Sequence, residues 1–356
     1  MVSRRVVIYL VVVLTLFGLV MIASASVVNA ARDFSDKWYY LKLQTLWTLI
    51  GFTSFIFFSY YPHQKLMGLS KPIMFGTVIL LLLVLIPGIG SKLLGARRWI
   101  NIGFASIQPT EIAKLSAAIY LSKLLSEKRP QIGKFFLTLA GLCGLVMLEP
   151  DLGTTLVILG MGMFLYFASS VKIAHVLIIV PVVLLTGFAL IFLSPYRRAR
   201  LTTFFNYSRD PLGASYQIRQ ALLGIGSGGI TGLGFGQSRQ KYEFLPEATT
   251  DSIFAIVGEE LGLIGGIVVV AAFLYLISTG FQISLSVADP FSAHLALSIS
   301  LILGLQAFIN LSAIIALLPL TGIPLPFISY GGSSLVIMLS AAGILANIAS
   351  KSKHVR

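Results

Sequence analysis

The chain has 356 residues, of which 56% are apolar and only 11% charged. A soluble globular protein has about a quarter of its residues charged, so an ordinary water-soluble enzyme is excluded, and the apolar content excludes disorder. The 26 Lys and Arg outnumber the 13 Asp and Glu, giving +13; in a membrane protein this reports loop bias, anionic head groups or a phosphorylated lipid substrate rather than nucleic acid.

A membrane span needs about 20 mostly apolar residues. The first such run is 6–28. Arg4-Arg5 ahead of it and Ala23-Ser24-Ala25 within it resemble a signal peptide. At 23 residues it exceeds the roughly 7–15-residue core of a signal peptide, so an uncleaved span is expected. Runs at 43–61 and 72–91 follow. Two weaker segments come next: about 110–126, with Glu111, Lys114 and Lys123, and 135–149, ending at Glu149. The remaining runs are 152–171, 173–196, 261–288, 291–318 and 327–350. The fold expected is an all-α polytopic membrane protein of about ten transmembrane helices. No linker or internal repeat divides the chain. Residues 1–356 therefore read as a single membrane domain, with a large loop at about 195–252 between helices seven and eight.

Short loops on the side of the N-terminus hold Arg4, Arg5, Lys65, Lys71, Lys128, Arg129, Lys134, Lys172, Lys351, Lys353 and Arg356. The opposite short loops hold Arg32, Lys37, Lys92, Arg97 and Arg98. Basic loops stay inside, so both termini are expected in the cytoplasm, with 88–110 and 195–252 outside. Only those outer segments offer room for chemistry in water.

No phosphate-binding GxxxxGK[ST] motif is present, which removes an ATP-driven pump. His63, His175, His294 and His354 lack metal-ligand spacing, and the single Cys143 forms neither an internal disulfide nor a thiolate metal site. Seven glycines crowd into 224–236. They suit a phosphate-cradling nest or a tightly turned loop packed on the bundle.

Ionisable groups inside a bilayer are costly and point to function. Glu111 and Lys114 are three residues apart on one helix face, at the outer end of span four. They suit either a structural ion pair or a lysine offered to a phosphate. Asp251 follows Thr249-Thr250 at the start of a helix, where it can cap or act as a general base. Glu259 and Glu260, about 12 Å deeper, are expected to hydrogen-bond neighbouring helices. Arg97 and Arg98 beside Trp99, and Arg197, Arg198 and Arg200, suit interfacial anchoring or pyrophosphate binding. Asp151 lies in a tight outer turn suited to capping.

Ordered blocks along nearly the whole chain resemble the SEDS family (shape, elongation, division and sporulation). They are Gly18-Leu19-Val20-Met21 with Ser24-Ala25-Ser26, Ala96-Arg97-Arg98-Trp99-Ile100, Gln108-Pro109-Thr110-Glu111-Ile112-Ala113-Lys114 and Pro150-Asp151-Leu152-Gly153-Thr154. Tyr196-Arg197-Arg198-Ala199-Arg200, Asp210-Pro211-Leu212-Gly213, the 234–241 stretch, Leu245 to Asp251, Gly258-Glu259-Glu260-Leu261-Gly262 and Pro324 to Ser333 complete the set.

The resemblance implies a peptidoglycan glycosyltransferase that polymerises lipid II at the outer face of the cytoplasmic membrane and releases undecaprenyl pyrophosphate. The span-one motif and the Gly236-to-Lys241 stretch favour the division branch, acting at the septum. It implies Asp251 as the catalytic carboxylate. Lys114, Glu111, Arg98, Arg197, Arg198, Arg200 and Asp151 are expected to bind substrate. A class B penicillin-binding protein, other divisome membrane proteins and a divalent cation (Mg or Mn) are the implied partners and cofactor. Many relatives carry histidine where this chain has Thr249, so no role of that histidine carries over. A lipid II flippase and a non-catalytic scaffold for a transpeptidase are the competing readings.

Overall fold

The computed structural model describes residues 4–93, 96–103, 106–169, 198, 204, 215–242 and 244–351. The expected span 173–196 lies outside the described residues. Apolar runs of membrane-spanning length become helices because every backbone group in lipid needs an internal partner. They are α1 (Arg4–Phe34), α2 (Tyr39–Tyr60), α3 (Gln64–Leu85), α4 (Pro109–Ser126), α5 (Ile132–Leu148) and α6 (Leu152–Ala168). After them come α7 (Tyr216–Ser227), a short helix of the large loop rather than a span, and α8 (Ile253–Ser286), α9 (Pro290–Ile314) and α10 (Gly332–Ala349). Six (α1, α2, α3, α8, α9 and α10) are long and apolar enough to cross a membrane. This is a multi-pass membrane protein.

Helices α9 and α10 form the centre, with most of their side chains buried, whereas α2, α3 and α8 turn apolar residues such as Phe57, Phe75 and Leu274 outward. Apolar side chains face both lipid and protein, so close packing rather than water exclusion joins the helices. At Gly343 on α10 an added Cβ would lie 2.5 Å from the Phe55 carbonyl oxygen of α2. Only glycine permits that approach.

Both described ends of the chain lie at one end of the bundle. There Arg4 donates to Ser59 Oγ (3.3 Å), and the Asn347 amide donates to the Ser59 carbonyl (2.9 Å). His63 bonds Ser292 Oγ through Nε2 (2.7 Å) and also pairs with Asn347 Oδ1. The opposite end carries a small antiparallel sheet, β1 (Gly90–Leu93), β2 (Ala96–Asn101) and β3 (Ser106–Ile107), in that order. The sequence reading treats this segment as loop.

The large loop also differs from expectation, because part of it descends along α8. Gly262 breaks that helix with φ 66°, a left-handed conformation natural to glycine. The break is sealed by the glycine-rich segment. Leu233 and Gly234 N–H donate to the Glu259 and Glu260 carbonyls (2.9 and 3.1 Å), and Leu263 N–H donates to the Gly229 carbonyl (2.9 Å). Gly262 is 11 residues past Asp251, about 16 Å along a helix axis. The glycines thus complete a broken helix, in keeping with the packed-loop reading. Glu259 accepts the Ser238 hydroxyl and the Arg239 and Gln240 N–H groups, while Glu260 accepts Ser24 Oγ (2.7 Å) and lies 3.5 Å from Lys241 Nζ. Glu260 meets a neighbouring helix, α1, as expected, whereas Glu259 is held mainly by this loop rather than by a helix.

Candidate active site

At the sheet-bearing end, two groups of polar residues flank the loop between α9 and α10. The first collects at the starts of α4 and α6. Pro109 occupies the first turn of α4, where its missing N–H costs nothing, and Asp151 caps α6. The Asp151 carboxylate accepts Thr154 N–H (3.0 Å), Thr154 Oγ1 (2.8 Å), Thr110 Oγ1 (3.3 Å) and Gln108 Nε2 (3.5 Å). It ties two helix starts together, as a cap in a tight turn should. Strand β2 brings Arg98 to the same place: its Nε donates to the Glu149 carbonyl (3.0 Å) and its Nη2 to the Pro150 carbonyl. Because α5 ends at Leu148, Glu149 lies in the turn beyond the helix.

The second group surrounds Asp251. Ser252, not Asp251, occupies the N-cap position of α8, and it makes no side-chain cap bond. The N-cap position thus falls one residue after Asp251, and Asp251 does not fill the capping role expected of it. Asp251 is 9% exposed, and its carboxylate meets the Gln217 amide of α7 at 3.4 and 3.5 Å. The neighbouring loop is fixed to it at several points. Asn310 on α9 donates to the Asp251 and Ile323 carbonyls (2.8 and 2.9 Å). Ser329 Oγ donates to the Thr250 carbonyl (2.6 Å), and Tyr330 N–H donates to that of Thr249 (2.9 Å).

Residues 321–323 form the partition between the groups. On one side a Cβ at Gly322 would lie 4.0 Å from Asp251 Oδ2. On the other, a Cβ at Gly153, two residues after Asp151, would press on Ile323 at 2.4 Å and Thr321 at 3.2 Å.

Glu111 and Lys114 sit below this loop, each 1% exposed, with Nζ 2.8 Å from Glu111 Oε1 and Oε2. Lys114 Nζ also donates to Gln306 Oε1, whose amide donates to the Pro324 carbonyl (2.9 Å). The ammonium is thus engaged inside the bundle, as the structural ion-pair reading expects, and its line of contact runs to the loop.

Arg198 is exposed, while Arg197 and Arg200 lie outside the described residues. Among the described residues no three His, Cys, Asp or Glu side chains gather as a metal site requires. A protein cage for the implied divalent cation does not fit the described residues.

Residues 4–354 match the family model FTSW_RODA_SPOVE, described as a cell cycle protein. The chain belongs to the FtsW/RodA/SpoVE family. It is 40% identical to the probable peptidoglycan glycosyltransferase FtsW of Geobacter metallireducens, covering 98% of this chain and 95% of that one. It is also 40% identical to the stage V sporulation protein E of Bacillus subtilis, covering 97% of each. Among solved structures it superposes on a chain from a peptidoglycan synthase complex that coordinates polymerization and crosslinking. There the TM-score is 0.81 and the identity 27%, over 97% of this chain and 96% of that chain. The rod shape determining protein RodA of Thermus thermophilus gives a TM-score of 0.72 at 26% identity, over 97% and 96%.

In this family member the sequence reading missed Gln217, Gln306 and Asn310. All three are amides. A search of apolar runs for charge passes over Gln306 and Asn310, although an amide inside a span is itself a signal because it needs partners. Gln217 lies in the large loop, where nothing in the local pattern marks it.

Proposed function

We propose that this chain is a peptidoglycan glycosyltransferase that polymerises lipid II at the sheet-bearing end of the bundle, outside the cytoplasmic membrane. The placement of Asp251 carries the reading. A mostly buried carboxylate stands at the mouth of a helix start, held through its main chain by Asn310 and met by the Gln217 amide and the Thr250 hydroxyl. Such a carboxylate can accept the proton of a sugar hydroxyl as that oxygen attacks an anomeric carbon. The relatives named as peptidoglycan glycosyltransferases support the same reaction.

The leaving group is a lipid-linked pyrophosphate. Arg98, with Arg197, Arg198 and Arg200 from the large loop, offers forked donors that match phosphate oxygens. Asp151 fixes the turn that carries the Arg98 contacts. Glu111 and Lys114 act through Gln306 on the loop beside Asp251. A divalent cation would travel with the substrate pyrophosphate. The lipid tail stays in the bilayer and both termini face the cytoplasm, as the basic loops favour. The solved complex that couples polymerization to crosslinking supports a transpeptidase partner of the class B penicillin-binding type, with divisome proteins alongside at the septum.

The test compares wild type with Asp251→Asn, each bound to the transpeptidase, on labelled lipid II with a divalent cation. Lysozyme-sensitive polymer from wild type alone is the expected result. Polymer from both removes Asp251 from the chemistry. Polymer from neither, with intact complexes, favours the flippase or scaffold readings.

A further inference from the structure

Glu149 is a buried titratable group to which the mechanism gives no task. The Glu149 side chain is 0% exposed, and neither Oε1 nor Oε2 has a hydrogen-bond donor. Two charged groups act on it: the Asp151 carboxylate opposes its ionisation, and the Arg98 guanidinium favours it. Arg98 nevertheless makes no bond to that carboxylate. Its Nε and Nη2 donate to the main-chain carbonyls of Glu149 and Pro150.

This choice of acceptors has an electrostatic consequence. Neutral carbonyls fix the guanidinium plane without cancelling its charge, and its other N–H groups stay available to further oxygens. A carboxylate at the same place would form an ion pair and neutralise it. A buried carboxylate without a donor is strongly disfavoured against its neutral acid. We propose that Glu149 is kept as an uncharged carboxylic acid, leaving the Arg98 guanidinium its full charge for the phosphates of a lipid-linked substrate. Glu149 is then a positioning residue that acts through Arg98, and the inference rests on the phosphate role given to Arg98 above. Burial first, and Asp151 second, push the Glu149 carboxyl up to about 9 against the pull of Arg98.

The experiment reads protonation and binding separately, so that neither depends on turnover. Infrared spectra of wild type at pH 7 should contain a protonated-carboxyl band that Glu149→Gln lacks. Its absence from wild type overturns the proposal. Binding of undecaprenyl pyrophosphate in detergent is then titrated from pH 7 to pH 10. In wild type Kd should rise about tenfold as Arg98 loses its free charge, the scale separating a charge-assisted from a neutral hydrogen bond. Glu149→Gln, which holds the uncharged shape, should bind as wild type does at pH 7 and show no such rise. Equal rises in both proteins overturn the link to Arg98. Inactivity on lipid II with both readouts intact would instead count against the glycosyltransferase reading.

Discussion

The Asn310 side chain on α9 binds the main chain of Asp251 at 2.8 Å and that of Ile323 at 2.9 Å. One amide therefore sets the spacing between the carboxylate segment and the loop that walls it. Position matters steeply in catalysis, because small displacements from attack geometry cost orders of magnitude. Asn310→Ala should lower kcat for glycan polymerisation by about 10- to 100-fold, with a smaller change in KM. Gel-resolved polymer at saturating lipid II would check this, and an unchanged kcat would dismiss Asn310 as a positioning residue.

The Glu111–Lys114 pair should behave as a buried ion pair with a tether. Lys114→Met alone strands a carboxylate and should destabilise the protein by about 3–5 kcal/mol. Adding Glu111→Gln should recover part of that loss, since no buried charge then remains. Thermal unfolding in detergent would measure the cycle. Activity should remain low in the double variant, because Gln306 has lost the lysine that orients it toward Pro324.

Hydropathy made most spans legible, since a run such as 291–318 has few options other than a helix, and it appears as Pro290–Ile314. Carboxylates at span ends stood out for the same reason, as isolated charges in apolar sequence. Other features depend on pairings between distant residues. The partition at 321–323 is recognisable only once Gly153 and Asp251 approach it from opposite sides. The break at Gly262 needs the 229–234 segment to seal it. Neither pairing leaves a trace in local composition. Glu149 read as the end of a span, and its isolation follows from where Arg98 spends its donors.

Gly262 offers a direct test of that seal. A Cβ there would lie 2.3 Å from the Gly232 nitrogen, and the backbone sits at φ 66°. Left-handed backbone alone costs a non-glycine residue about 1–2 kcal/mol. Gly262→Ala should exceed that cost, because main chain cannot yield as a side chain can. The measurement is the unfolding midpoint in detergent. A neutral result would show that α8 runs straight and that the 229–234 segment packs elsewhere.

Stability should also depend on pH through Glu149. Its carboxyl is raised from 4.5 to about 9 in the folded protein, chiefly by burial. Between these values the folded chain holds a proton that the unfolded chain has released, so ν for the native state exceeds ν for the unfolded state. Stability then falls with rising pH. The contribution is complete below the ordinary glutamate value and is lost as pH climbs through about 9. Wild type should therefore lose more Tm between pH 7 and pH 10 than Glu149→Gln, which has no proton to give up. Comparing the two slopes cancels the titration of lysines and tyrosines elsewhere in the chain. Parallel slopes would mean that Glu149 is ionised in the folded protein, and Arg98 would then be neutralised where it stands.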